Sequence, residues 1–369
     1  MLRRFSVQTN NLREIFNAES RDLNEKMQVA YATAREFAQL HNWKKHIDFV
    51  KDMLPVVAYL EQTDLMARLL GRLAWSYIRL EEKKMATQLL SCSKEYDLWQ
   101  SAANYFWACE YSRRQRNMTD YANECLTGFR ESIKQIPDFA TIKLPVDDLE
   151  LAVLFYDKLI VHEEKSDVFL NKSSKSDVAR YHELNARLTQ NPAEYELAEE
   201  YYRDAGLQPY ATCCEALRLM HEADEQKELT IKKDKFHTAS EALKKGVFMD
   251  DYIRVLLIKF NDLREAFCDL YIGIETDETI EATSILDQIT NIEKIYKTGD
   301  DSLHKLSLKV PSFYVTAIYT NFRQMMHDLL ITGKINFYDS NEILKIDTLL
   351  EKVQKQLPSY TFSISKQEI

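Results

Sequence analysis

Glycine and proline are scarce in this chain, seven of each among 369 residues. Hairpins and tight turns need residues that accept a positive φ or carry a preset one, so a β-rich architecture has little to turn on. The two glycines nearest in sequence are Gly273 and Gly299. A phosphate cradle needs glycines a few residues apart, which excludes a P-loop, a dinucleotide fingerprint, a kinase glycine-rich loop and a Gly-x-Ser-x-Gly nucleophile elbow. Long apolar runs are also missing. The best candidate, Val255–Ile258, is cut off by Arg254 and Lys259, far short of the roughly 18 residues that read as a membrane span.

Other absences narrow the chemistry. Polar Gln8, Thr9 and Asn10 follow the basic start, so no secretory signal is written there; Arg3, Arg4 and Arg13 before the first acid, Glu14, leave a mitochondrial presequence as the alternative for residues 1–13. A formal net charge of −10 argues against a nucleic-acid partner. His-Glu pairs at 162–163, 182–183 and 221–222 lack a second His at zinc-protease spacing, and all eight histidines read as surface residues. The six cysteines (92, 109, 125, 213, 214, 268) show no metal or disulfide spacing and read as reduced core thiols of a cytoplasmic protein. Vicinal Cys213 and Cys214 fit core packing better than redox chemistry. No cofactor, metal or catalytic residue is expected.

What is abundant is helix-forming: Leu, Ala, Glu, Lys and Gln. A phrase also repeats. Leu73-Ala74-Trp75-Ser76-Tyr77 and Trp107-Ala108-Cys109-Glu110-Tyr111 both read apolar-Ala-x-x-Tyr, with alanines 34 residues apart, and Leu197-Ala198-Glu199-Glu200-Tyr201 returns to the pattern. That interval is the length of a tetratricopeptide helix pair; the small Ala admits a neighbouring helix and the Tyr three residues on shares its face. Thr63-Asp64, Thr119-Asp120 and Asn191-Pro192 read as helix starts, and Gly206 as a helix end. Pro55 falls inside a helical pattern and should kink or split it.

The expected fold is all-α, a tetratricopeptide-like α-solenoid of about fourteen helices closed by a C-terminal helical cap. Residues 1–136 form a first helical-repeat array, and 137–176 a connector helix flanked by an extended stretch (137–145) and a loop (171–176). Residues 177–369 form a second array ending in a bundle, with helices near 248–272, 277–297, 312–332 and 340–356.

Functional residues are harder to read. Arg113, Arg114 and Arg116 follow Tyr105, Phe106, Trp107 and Tyr111. This mixture of cations and aromatics resembles a single-strand binder, but the helical spacing buries the aromatics and leaves the arginines at a helix C-terminus, where they can dock an acidic partner. With Trp99 they are the partner-binding candidates. Arg3-Arg4-Phe5-Ser6-Val7 suits a basic-directed kinase, which makes Ser6 the phosphorylation candidate.

The tracts Ala34–Leu40, Asp251–Leu257 and Phe267–Leu286 resemble the forty-kilodalton huntingtin-associated family. More broadly the chain is similar to tetratricopeptide-like adaptors, among them the soluble NSF attachment proteins. The resemblance implies a non-enzymatic protein held between large helical-repeat domains, in a stoichiometric hetero-complex, with no catalytic residue to transfer. The chain continues past the point where that family is expected to stop. The residues leave open a scaffold or complex subunit and an enzyme with an unrecognised helical site, and the resemblance implies as a further alternative a peptide- or helix-binding adaptor in vesicle trafficking.

Overall fold

The computed structural model describes residues 15–16, 23–113, 118–165 and 171–245, a few residues between 257 and 272, and the pairs 280–281 and 335–336. The described residues are all-α in substance, with eleven helices: α1 Leu23–Gln39, α2 Trp43–Tyr59, α3 Thr63–Arg79, α4 Lys83–Ser93, α5 Leu98–Arg113, α6 Thr119–Gln135, α7 Asp148–Lys165, α8 Asn171–Thr189, α9 Pro192–Asp204, α10 Gln208–Glu225 and α11 Leu229–Lys245. Within the stretch 277–297, expected to be helical, Ile280–Glu281 instead pairs in parallel with Ile335–Asn336. The helices expected over 312–332 and 340–356 lie outside the described residues. No described helix is long and apolar enough to cross a membrane.

The chain forms two compact units. The first comprises Met1–Leu188, Glu200–Leu207 and Val247–Tyr252; the second comprises Thr189–Glu199, Gln208–Gly246 and Ile253–Ile369. In the second, α10 packs on α11, with Cys214, Leu217, Met220, Phe236 and Leu243 buried.

In the first unit each helix from α1 to α6 packs on the next, and α3 also reaches α5. The connections are repeated turns. Leu40-His41-Asn42, Leu60-Glu61-Gln62 and Leu80-Glu81-Glu82 each place the middle residue at positive φ (57°, 54° and 62°). The third residue of each donates its N–H back to a carbonyl of the preceding helix: Asn42 to Phe37 at 2.9 Å, Gln62 to Val57 at 3.4 Å and Glu82 to Tyr77 at 2.8 Å. This six-to-one closure satisfies carbonyls left open at a helix end. Gly206 repeats the device at φ 67°, with Leu207 N–H on the Tyr202 carbonyl at 2.7 Å.

The helix starts divide between capped and uncapped. Asn42 caps α2 through the Lys45 N–H, Asp97 caps α5 through Gln100, Asp147 caps α7 through Leu149 and Glu150, and Asn191 caps α9 through Ala193. Thr63 and Thr119 are the first helical residues rather than caps, and no side chain caps α3 or α6.

Two sequence expectations give way to packing. Helix α2 is not split at Pro55 but continues through it to Tyr59. A proline inside a helix costs about 3 kcal/mol, but Val50, Met53 and Val57 are fully buried on the same helix, each stabilising by about 1.5–3 kcal/mol. Residues 171–176, expected as loop, open α8: Asn and Ser suit a first helical turn, and the helix beyond them is anchored by buried Asp177, Arg180, Glu183 and Leu184. The stretch 137–145 does contain non-helical backbone, but it begins with a 3-10 turn, Pro137–Phe139, whose Phe139 is buried.

Small residues set the closest helix approaches. A Cβ on Gly71 would lie 2.2 Å from Asn104 Oδ1, and one on Gly128 would lie 2.4 Å from the Tyr105 ring. Ala74 and Ala108, from the repeated phrase, are buried, as are Tyr77 and Tyr111. In the third copy Ala198 is buried, while Tyr201 is partly exposed and stacks on His182 with ring centroids 5.6 Å apart.

Candidate functional site

The first unit brings together two groups of side chains that exceed what packing alone requires. One is an aromatic ladder across α2, α3 and α5. Trp43 meets Trp75 edge-on at 5.1 Å between ring centroids, and Trp75 meets Tyr111 edge-on at 6.0 Å. Exposed His41 stacks on Trp43 at 5.7 Å. The Arg79 guanidinium sits over both ends, 5.1 Å from the Trp43 ring and 5.0 Å from the Tyr111 ring, and donates to the Tyr111 hydroxyl. Trp43, Trp75 and Arg79 remain partly exposed. Such Trp, Tyr and Arg clusters are the residue types that dominate interface energetics, and cation–π contact holds Arg79 in place at about 0.5–2 kcal/mol per ring.

The second group is a buried ionic network around α8. Arg68 of α3 pairs with Glu163 of α7 and stands 3.7 Å from Asp177 of α8. Arg180 pairs with Glu183 at 2.8 Å while its guanidinium lies 3.7 Å from the centre of the Trp107 ring on α5. The Tyr202 hydroxyl donates to Glu183 at 2.7 Å, and Arg187 reaches Glu110 of α5 at 2.9 Å. Three arginines thus meet four carboxyls. Burial, and then Glu163, push the Asp177 carboxyl well above the usual carboxylate range, against the opposing pull of Arg68 and Arg180. A proton on Asp177 would make these seven groups neutral in sum. Burial works against the charge on Arg68, but Glu163 and Asp177 more than restore it. The fully buried Tyr156 hydroxyl, held far above its ordinary titration by burial and then Asp177, has no hydrogen-bond partner among the described residues.

A third polar feature is His46, which is fully buried, contrary to the expectation that every histidine lies at the surface. Its Nδ1 is 2.6 Å from the Ser76 hydroxyl, its Nε2 has no hydrogen-bond partner among the described residues, and burial followed by the nearby Arg72 charge lowers its pKa to about 3. It is therefore neutral in the folded protein at physiological pH and carries no pH switch in that range.

Of the nominated contact residues, one has a described side chain. Trp99 is 8 % exposed and packs on Phe139 at 5.5 Å, Phe155 at 5.9 Å and His162 at 4.7 Å, so it belongs to the core and offers no free face to a partner. Arg113 is the last residue of α5, and its side chain lies outside the described residues. Arg114, Arg116 and Ser6 also lie outside them. Of the four nominated contacts only Trp99 has a described side chain, and it lies in the core. Cys214 is buried and Cys213 partly so, and neither is bridged. Among the described residues no group of three or more His, Cys, Asp or Glu is placed to hold a metal ion.

Both groups had partial signatures in the sequence. Arg79 follows Trp75 by four residues, a same-face pair on a helix, although the approach of Trp43 is a tertiary event. Asp177, Arg180, Glu183 and Arg187 recur every three to four residues, a stripe at helical period; charged stripes usually face water, whereas Asp177, Arg180 and Glu183 are buried.

Comparison with family models, with curated proteins and with solved structures finds no match to this chain.

Proposed function

We propose that this protein is a non-enzymatic interaction scaffold, a tetratricopeptide-like α-solenoid that works as a stoichiometric subunit of a larger helical-repeat assembly in the cytoplasm. The observation that carries the reading is the Trp43–Trp75–Tyr111 ladder with Arg79 across it. A core-only role would bury these side chains fully, whereas Trp43, Trp75 and Arg79 keep part of their surface in water, and a rigid aromatic row loses little entropy when a partner covers it. The repeated turns at 41, 61 and 81 support the repeat reading, since helices joined by equal turns stack with a constant rotation. The resemblance to the huntingtin-associated family makes the partner a large helical-repeat protein rather than a nucleic acid.

The test is affinity isolation of the tagged chain, with protein stoichiometry measured in the eluate. One large protein held near one to one, and lost from the Trp75→Ser/Arg79→Glu variant at unchanged helical content, is the expected result. A wild-type chain that elutes as a monomer without a stoichiometric companion would contradict the proposal.

A further inference from the structure

Helix α8 is seated in the first unit in an unusual way. Among its described side chains, the buried apolar ones are Ala179, Leu184 and Ala186, and the buried polar ones are Asp177, Arg180 and Glu183. By contrast α5 buries Trp99, Tyr105, Phe106, Cys109 and Tyr111 as well as three alanines. Helix α5 is a core element throughout; α8 adds only Leu184 and the partly buried Tyr181 to the core cluster and otherwise meets its neighbours mainly through charged groups. Its stripe faces complementary groups on four other helices: Arg68 on α3 opposite Asp177, Trp107 and Glu110 on α5 opposite Arg180 and Arg187, Glu163 on α7 sharing Arg68 with Asp177, and Tyr202 on the following α9 opposite Glu183. Buried ion pairs add little net stability because desolvation offsets their attraction, yet they discriminate strongly against a wrong partner. A helix held this way resembles the ligand of a polar interface more than a part of the core.

We propose that α8 is a removable occupant of the groove built by α3, α5 and α7, and that this groove takes in its place a partner helix with the same stripe: an acid, an arginine three residues on, a second acid three further and an arginine four beyond that. This rests on the scaffold reading and specifies the partner's chemistry. The groove supplies what such a helix needs. Arg68 meets the first acid, the Trp107 face meets the first arginine, and Glu110 meets the last arginine. The unpartnered, fully buried Tyr156 hydroxyl lies in the field of Asp177 and Arg180 and is a spare hydrogen-bonding group for an incoming side chain. Displacing α8 withdraws Leu184 and the partly buried Tyr181 from the core cluster, and an incoming helix with the same stripe restores the ion pairs that α8 leaves.

The test uses the full chain carrying Arg180→Glu and Arg187→Glu, which reverses two charges on α8 and leaves the groove intact. The probe is a fluorescein-labelled synthetic peptide of residues 171–189, read by anisotropy. The variant should bind it at least tenfold more tightly than the wild type does, and a peptide with the same two reversals should bind neither. A folded variant that gains no affinity overturns the inference. Hydrogen exchange on the wild-type chain decides independently, including where the variant does not fold: α8 amides should open more readily than those of α5, and faster again at 0.5 M salt, about the range where screening falls to a few ångströms. Equal protection of α8 and α5 overturns it. Failure of peptide binding with an intact stoichiometric complex removes the groove and leaves the scaffold; peptide binding without any such complex does the reverse.

Discussion

The side chain of Asn104 on α5 occupies the space that a Cβ on Gly71 of α3 would need. Its Oδ1 lies 2.2 Å from that position, and its Nδ2 is tied to the Ala67 carbonyl at 2.9 Å while Oδ1 accepts from Gln100 at 2.9 Å. Alanine is the better helix former by about 1 kcal/mol, yet Gly71→Ala should destabilise the protein by about 1–3 kcal/mol because the crossing is overpacked. Urea denaturation measures this, and Asn104→Ala in the same chain should recover part of the loss, since the two sites share one contact. Gly128→Ala against the Tyr105 ring should behave alike.

The turn residues Glu61 and Glu81 hold φ values of 54° and 62°, where an L side chain costs about 1–2 kcal/mol. Glycine removes that cost and loses some of the gain to unfolded-chain entropy. Glu61→Gly and Glu81→Gly should each raise the melting midpoint, by about 0.5–1 kcal/mol of stability. A fall in both variants would mean that the carboxylates make contacts worth more than the strain.

His46 gives a pH dependence with a defined sign. Its folded value is lowered to about 3 from the ordinary 6.5, so the unfolded chain binds the proton first. The contribution is fully present above pH 6.5 and is lost progressively as the pH falls toward 3, to a total of about 5 kcal/mol. Denaturation series from pH 7 to 4 on wild type and His46→Gln should show a shallower decline for the variant.

Asp177 works in the opposite direction. Its folded value is raised by burial and Glu163, so the native state holds the proton longer than the unfolded chain. Stability should therefore fall as the pH rises above the ordinary carboxylate range and through the raised value. Asp177→Asn removes that slope and should make the protein at least about 1 kcal/mol more stable than wild type at pH 8, with little difference at pH 4. Equal slopes in the two proteins would show that the carboxyl titrates normally.

The helices were legible in the sequence because their signals are local: Asn191-Pro192 at a start, Gly206 at an end, Ala74 and Ala108 at close approaches. What was missed depends on what lies opposite. Pro55 reads as a break until the burial of Val50, Met53 and Val57 is known, and 171–176 reads as loop until the anchors that follow it are seen. Trp99 looked available because nothing in its own helix says that Phe139, Phe155 and His162 will enclose it. His46 is hidden for the same reason: a lone histidine carries no local mark of burial. The charged stripe of α8 was visible, but its inward direction is set by Arg68, Glu110 and Glu163, which lie far from it in sequence.

The most direct test of the scaffold account is hydrogen exchange on the isolated complex compared with the free chain. Peptides carrying Trp43, Trp75 with Arg79, and Tyr111 should become protected together when the partner is bound, while α10 and α11 change less. A complex in which those three peptides exchange as they do in the free chain would contradict the account, because the ladder would then lie outside the interface.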